Sequence, residues 1–212
     1  MKDQKTANRH IVEALALFFV LFFPRGTTLT DGIPDFLPLE EIGYSLFWRF
    51  PAFILILLLL EKPLPLRPKK DLAVLTITLS ALCLTGFLVS LAAALTGFFP
   101  PGGAPPPGSI SAWIAVILLS LSTGCLEEAY FRVYLPKRIL ELKQDSLWTA
   151  YLVPALVFAL CHAHEGPWSV INALLAAFAL SFIYIKSSSF AGIAFAHGLY
   201  NIFVYLTSAL KR

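Results

Sequence analysis

The hydrophobic residues of this chain fall in blocks of membrane-crossing length, and the polar residues collect between them. A bilayer core of about 30 Å needs about 20 apolar residues in a helix. The blocks predict about seven helices, with six to eight consistent with their uneven lengths: Ile11–Phe23, Tyr44–Leu60, Leu72–Phe99, Ile110–Leu135, Leu147–Ala163, Trp168–Ile185 and Phe190–Leu210. Breakers separate them. Thr27–Ile42 reads as an acidic loop with Pro34 and Pro38, Glu61–Asp71 as a basic, proline-rich loop, and Pro100–Ser109 as an uncharged Pro/Gly connector. Pro136–Ser146 reads as a basic loop, His164–Pro167 as a tight turn and Lys186–Ser189 as a short link. Pro51 stands where a first turn tolerates it, whereas Pro154 predicts a kink. Pro24-Arg25-Gly26 is not a small-x-small cleavage site, so the first block reads as a retained helix.

Composition agrees with that pattern. The chain is 58% hydrophobic and 14% charged, with a mean hydropathy of +0.75, beyond the usual range of soluble domains. The fold class expected is all-α, a polytopic transmembrane bundle without internal repeats. Net charge is only +3, and the basic residues sit between blocks, which argues against a nucleic-acid partner. Alternating the loops puts Lys2, Lys5, Arg9, Lys62, Arg67, Lys69, Lys70, Lys137, Arg138, Lys143 and Lys186 on the N-terminal side. Arg25, Lys211 and Arg212 fall opposite, so the positive-inside rule predicts a cytoplasmic N-terminus. Arg49 is expected to snorkel or to pair with Glu40 or Glu41. Cys83, Cys125 and Cys161 are odd in number and lie in apolar segments, as small buried residues would.

Against this background Glu127–Arg132 is anomalous. It reads Glu-Glu-Ala-Tyr-Phe-Arg after an uncharged run from Ile110 to Leu126. Charges near a membrane helix centre cost roughly 2.5–3.5 kcal/mol each unless paired or solvated. Glu128 and Arg132 are i and i+4 with the acid first, the favourable order. Glu127 lies about 100° around the helix and is left over.

Further polar groups stand on the following helices. Phe158 and His162 share an i, i+4 spacing, as do His197 and Asn201. A glutamate and a histidine in an apolar cavity can activate water. A second histidine and an amide can donate hydrogen bonds to a tetrahedral oxyanion. Such hydrolysis needs a cavity open to one side of the membrane. Counted from the predicted helix ends, Glu127 and His197 lie at similar depths and His162 lies deeper, a mismatch in this scheme. His164 and Glu165 read as turn residues.

Glu-Glu-x-x-x-Arg (127–132), Phe-x-x-x-His (158–162) and His-x-x-x-Asn (197–201), in that order on successive helices, are similar to the signature motifs of the CPBP family. These are the CAAX-protease and bacteriocin-processing intramembrane endopeptidases, including type II CAAX prenyl endopeptidases. The resemblance covers roughly Ser111–Leu210 and implies a polar catalytic cavity open to the cytoplasm. It implies that Glu127 and His162 activate water, that His197 and Asn201 hold the oxyanion, and that Glu128 and Arg132 brace the motif helix, with Phe158 supporting the site. The chain then divides into variable helices over 1–109 and a catalytic core over 110–212, within one membrane domain.

The expected function is a glutamate-type endopeptidase acting in the bilayer on a membrane-anchored protein or peptide, near its C-terminus. No cofactor is expected. The alternatives are a zinc protease using Glu127, His162 and His197, although no His-Glu-x-x-His is present, and a non-catalytic immunity or maturation accessory protein. A proton-relay transporter is disfavoured because the chain has no repeated halves. The location expected is an integral, multi-pass membrane protein, in the inner membrane if the source is bacterial.

Overall fold

Pairing apolar blocks with one another, rather than with water, yields helices alone. The computed structural model describes residues 2–22, 45–60, 64–98, 107–142 and 146–209. The acidic loop 27–42, most of the Pro/Gly connector, Lys62, Lys143, Lys211 and Arg212 lie outside the described residues. Among those described there are seven helices and no strand. We number them α1 (Lys2–Phe22), α2 (Ser45–Leu59), α3 (Pro68–Leu95), α4 (Ile110–Leu142), α5 (Leu147–Leu160), α6 (Pro167–Ser187) and α7 (Phe190–Ala209). Residues Pro68–Leu95, Ile110–Leu142, Pro167–Ser187 and Phe190–Thr207 are long and apolar enough to cross a membrane; Ser45–Leu59 and Leu147–Leu160 are apolar but shorter.

Helix α3 shows what kind of packing this is. Val74, Thr78, Leu82, Val89 and Ala93 are buried on one face, while Ile77, Leu84, Leu88, Leu91 and Leu95 are exposed on the other. Both faces are apolar, the mark of a helix whose outer side meets lipid. The protein is an integral membrane protein.

Helix α7 runs between α3 and α4, α6 packs on α3 and α5, and α1 and α2 flank α4. Small residues set the α4–α7 crossing. A Cβ on Gly124 would lie 2.6 Å from the Ala194 carbonyl oxygen and 2.7 Å from the Gly198 nitrogen. One on Gly198 would lie 2.9 Å from a Leu121 methyl group. Bare backbones therefore touch, as small residues allow in membrane bundles, and this holds Glu128 against His197. The start of α7 is fixed to α3, where Ser189 Oγ donates to Asp71 Oδ1 at 2.6 Å.

Several sequence expectations need correction. The basic loop from Pro136 is helical as far as Leu142, so α4 runs past Leu135. Residues Ala129–Tyr134 form a π-helical stretch just before Pro136. The π-to-α junction already skips one hydrogen bond, so a residue without an N–H is tolerated there. Helix α5 stops at Leu160, and His162 lies in a turn leading to the 3-10 segment Ala163–Glu165. Gly166, at φ 101°, then reverses the chain into α6, a conformation that favours glycine. Helix α1 begins at Lys2 and includes the polar residues expected to precede it. Arg49 donates to the Leu119 carbonyl of α4 at 3.4 Å rather than snorkelling, and Glu40 and Glu41 lie outside the described residues. The three cysteines are free and half-buried.

Candidate active site

The lengthened α4 removes the depth mismatch. Leu142 and Leu147 flank a short link, and Glu127 and His162 each lie fifteen residues from that link-side helix end. At about 1.5 Å per residue, Glu127 sits about 22 Å along α4, and α5 ends at Leu160, about 20 Å along, in the turn that carries His162.

From α4 come Glu127, Glu128 and Arg132. The Arg132 Nε lies 3.3 Å from Glu128 Oε2, and both side chains are wholly buried. Glu128 has a second partner, since its Oε1 lies 2.8 Å from His197 Nδ1 on α7. An ionised carboxylate only accepts, so Nδ1 carries the proton and donates. The other ring nitrogen, Nε2, lies 3.7 Å from Glu127 Oε2. His197 is therefore held between two adjacent carboxylates. Glu127 is the more accessible of the two, with 18% of its side chain exposed against none of Glu128.

Phe158 of α5 links the motifs. Its ring centroid lies 4.9 Å from that of His162, 6.0 Å from that of His197 and 5.3 Å from that of Phe131. The Arg132 guanidinium carbon stands 5.0 Å from the Phe158 centroid, a cation–π contact. His162 places Nδ1 3.0 Å from the Phe158 carbonyl oxygen. That carbonyl accepts, so in the neutral ring Nε2 keeps its lone pair. Asn201 is half-buried, one turn beyond His197 on α7. His164 and Glu165 form an exposed pair 3.7 Å apart, away from this cluster in burial.

Thus Glu127, Glu128, His197 and Arg132 make direct polar contacts, and His162 joins them through the Phe158 ring, on which Arg132 also lies. Among the described residues, no group of three or more His, Cys, Asp and Glu side chains is arranged to hold a metal ion. The double use of Glu128, by Arg132 and by His197, was not foreseen. Helical spacing shows neighbours along one helix and is silent about contacts between helices.

A second polar cluster was also missed. Glu13 Oε1 of α1 accepts from the Tyr134 hydroxyl at 2.5 Å and from Arg138 at 3.1 Å. Arg138 also donates to Glu141 Oε2 at 2.9 Å. The signal was present: Glu13 alone interrupts an apolar run, the anomaly that singled out Glu127.

Buried carboxylates, a guanidinium and two imidazoles converging inside an all-helical membrane protein define a polytopic protein with an internal polar site. Residues 109–203, which contain all three motifs, match the family described as type II CAAX prenyl endopeptidase Rce1-like. This stretch, a little under half of the chain, is similar to that family of membrane-embedded CAAX-type endopeptidases, and the match supports a hydrolase of that class. No curated protein and no solved structure matches it.

Proposed function

We propose that the protein is a glutamate-type intramembrane endopeptidase cutting a membrane-anchored protein or peptide near its C-terminus. The observation that carries this reading is the imidazole of His197 held between Glu128 at 2.8 Å and Glu127 at 3.7 Å.

In the proposed reaction Glu127 takes a proton from water as its oxygen attacks the scissile carbonyl carbon. His162 presents the Nε2 lone pair to the same water. With Nδ1–H committed to Glu128, His197 acts in its doubly protonated form in this reading and offers Nε2–H on the Glu127 side, where the two groups lie 3.7 Å apart. That N–H and the Asn201 amide donate to the oxyanion. Collapse of the intermediate breaks the C–N bond, and Glu127 returns the proton to the leaving amine. Glu128 and Arg132 hold His197 and do not meet the substrate carbonyl. The N-terminus and the open side of the site are assigned to the cytoplasm.

The test is proteolysis by purified protein in detergent on membrane-anchored peptides, with Glu127→Gln and a chelator-treated arm. Cleavage by wild type, insensitive to chelator and lost in the variant, supports the reading. Loss on chelation with recovery on added zinc moves the chemistry to a metal. Asn201→Ala is expected to lower kcat by about 10²–10³, as for one oxyanion donor.

A further inference from the structure

A cavity of about 440 Å³ lies between α4, α5 and α6, and its lining includes Val133, Lys137, Leu140 and Glu141 of α4, Tyr151 of α5 and Tyr184 of α6. That is the size of a small-ligand pocket. Positions along the helices give its level in the bundle. Tyr184 stands three residues from Ser187 at the end of α6, Tyr151 four from Leu147 at the start of α5, and Lys137 five from Leu142 at the end of α4. All three therefore lie within about 4–8 Å of one end of the bundle. The same end carries Lys69, Lys70 and Lys186, and Trp148 there is 87% exposed. Basic side chains in a rim with tyrosine and tryptophan mark the boundary of a bilayer. The cavity sits at headgroup level, and Val133, one turn deeper than Lys137, makes its inner end apolar.

The wall carries both signs of charge. The Lys137 ammonium lies 3.8 Å from Glu141 Oε1, and both side chains are about one-third exposed. Glu141 Oε2 accepts from Arg138 at 2.9 Å and has His10 at 3.3 Å, whereas Oε1 accepts no hydrogen bond among the described residues. Neither the Tyr151 nor the Tyr184 hydroxyl makes a hydrogen bond among the described residues. We propose that this cavity holds the zwitterionic headgroup of a lipid of the phosphatidylethanolamine type. Its phosphodiester meets the Lys137 charge and the two tyrosine hydroxyls, which donate to it. Its primary ammonium donates to Glu141 Oε1. A lone anion would meet Glu141 with nothing to offer it, and a trimethylammonium has no N–H to give. The outer face of α5 beside Tyr151 is apolar and exposed at Leu152 and Leu156, a surface that acyl chains cover. Free phosphoethanolamine shares the headgroup chemistry, but the level of the cavity favours the lipid. Binding there does not depend on the peptidase reading.

The experiment measures, by native mass spectrometry, the binding of short-chain phosphatidylethanolamine to delipidated full-length protein in detergent. Phosphatidylcholine and phosphatidylglycerol of the same chain length and free phosphoethanolamine form the other arms. Phosphatidylethanolamine should bind about 10–100-fold more tightly than either other lipid, as one hydrogen bond to a charged group allows. Replacing both hydroxyls together, Tyr151→Phe with Tyr184→Phe, keeps the rings and should weaken that binding by about 10–100-fold. The thermal midpoint of the lipid-free double variant should match wild type. Glu141→Gln should narrow the preference for the primary over the quaternary ammonium; should it fold poorly through its loss of charge beside Arg138, the tyrosine variant still decides. Equal affinity for the three lipids, or wild-type affinity in the tyrosine variant, overturns the proposal. Tightest binding of phosphatidylglycerol overturns it by assigning the cavity to an anionic headgroup. Displacement of the lipid by an equal concentration of phosphoethanolamine overturns it by assigning the cavity to a soluble ligand.

Discussion

Two clusters of charge lie on α4 within a few turns of each other, and they differ in how completely their atoms are answered. In the tail, Glu13, Tyr134, Arg138 and Glu141 answer one another: Glu13 accepts two bonds, and Arg138 donates to two carboxylates and approaches the Leu59 carbonyl at 3.5 Å. Only Arg138 Nε is left over. In the motif cluster, Glu128 Oε2 and all three Arg132 nitrogens lack a hydrogen bond, although both residues are more deeply buried. A buried polar network that is satisfied rigidifies, and one that is not is costly to keep. The tail cluster fastens α1 to α4. The motif cluster meets as an ion pair, Arg132 Nε to Glu128 Oε2 at 3.3 Å, and leaves hydrogen-bonding capacity unused.

The sharpest way to break that comparison is Glu127→Gln. The substitution keeps size and removes the base, so cleavage should fall by about 10²–10⁴-fold, the usual range for general acid–base help. Yield from the membrane and thermal midpoint in detergent should match wild type, because Glu127 carries no buried ion pair to Arg132. Unimpaired cleavage would make the motif cluster structural, like its neighbour.

Next in size is Glu128→Gln, which should show both faces of the motif cluster. It strands Arg132, and breaking a buried pair from one side costs about 3–5 kcal/mol. It also weakens the hydrogen bond that holds His197 Nδ1. Low yield, a lower midpoint and a reduced kcat per folded molecule are expected together. A stable protein with normal kcat would show that Arg132 finds its counter-charge elsewhere.

Most of this fold was legible in the sequence because lipid imposes a coarse rule. Every backbone polar group must be answered within its segment, so long apolar blocks become helices. The Glu128–Arg132 pair was legible for a similar reason, being local to one helix. What escaped were features set by contacts between helices. The extension of α4 to Leu142 passes through a proline and basic residues that argue locally for a loop. It is held by Glu13 and by Lys137, which donates to the Leu60 carbonyl at 3.0 Å. The π stretch has no local signature. The closeness of His197 to Glu128 depends on Gly124, Ala194 and Gly198, whose meaning appears only when α4 and α7 are brought together.

The smallest effect tests the tail cluster. Glu13→Gln leaves an amide that still accepts from Tyr134, while Arg138 keeps Glu141 and loses one counter-charge. The expected cost is about 1–3 kcal/mol, that of weakening a charged hydrogen bond. It should appear as a lower midpoint and easier proteolysis of α1, with kcat per folded molecule unchanged. Tyr130 should limit the damage, since its hydroxyl donates to the Ala14 carbonyl at 2.8 Å and its ring packs on Phe18 and Phe22. If kcat fell instead while the midpoint held, the satisfied cluster would be acting on the reaction through α4. Satisfaction of buried charge would then no longer separate fastening from chemistry in this bundle.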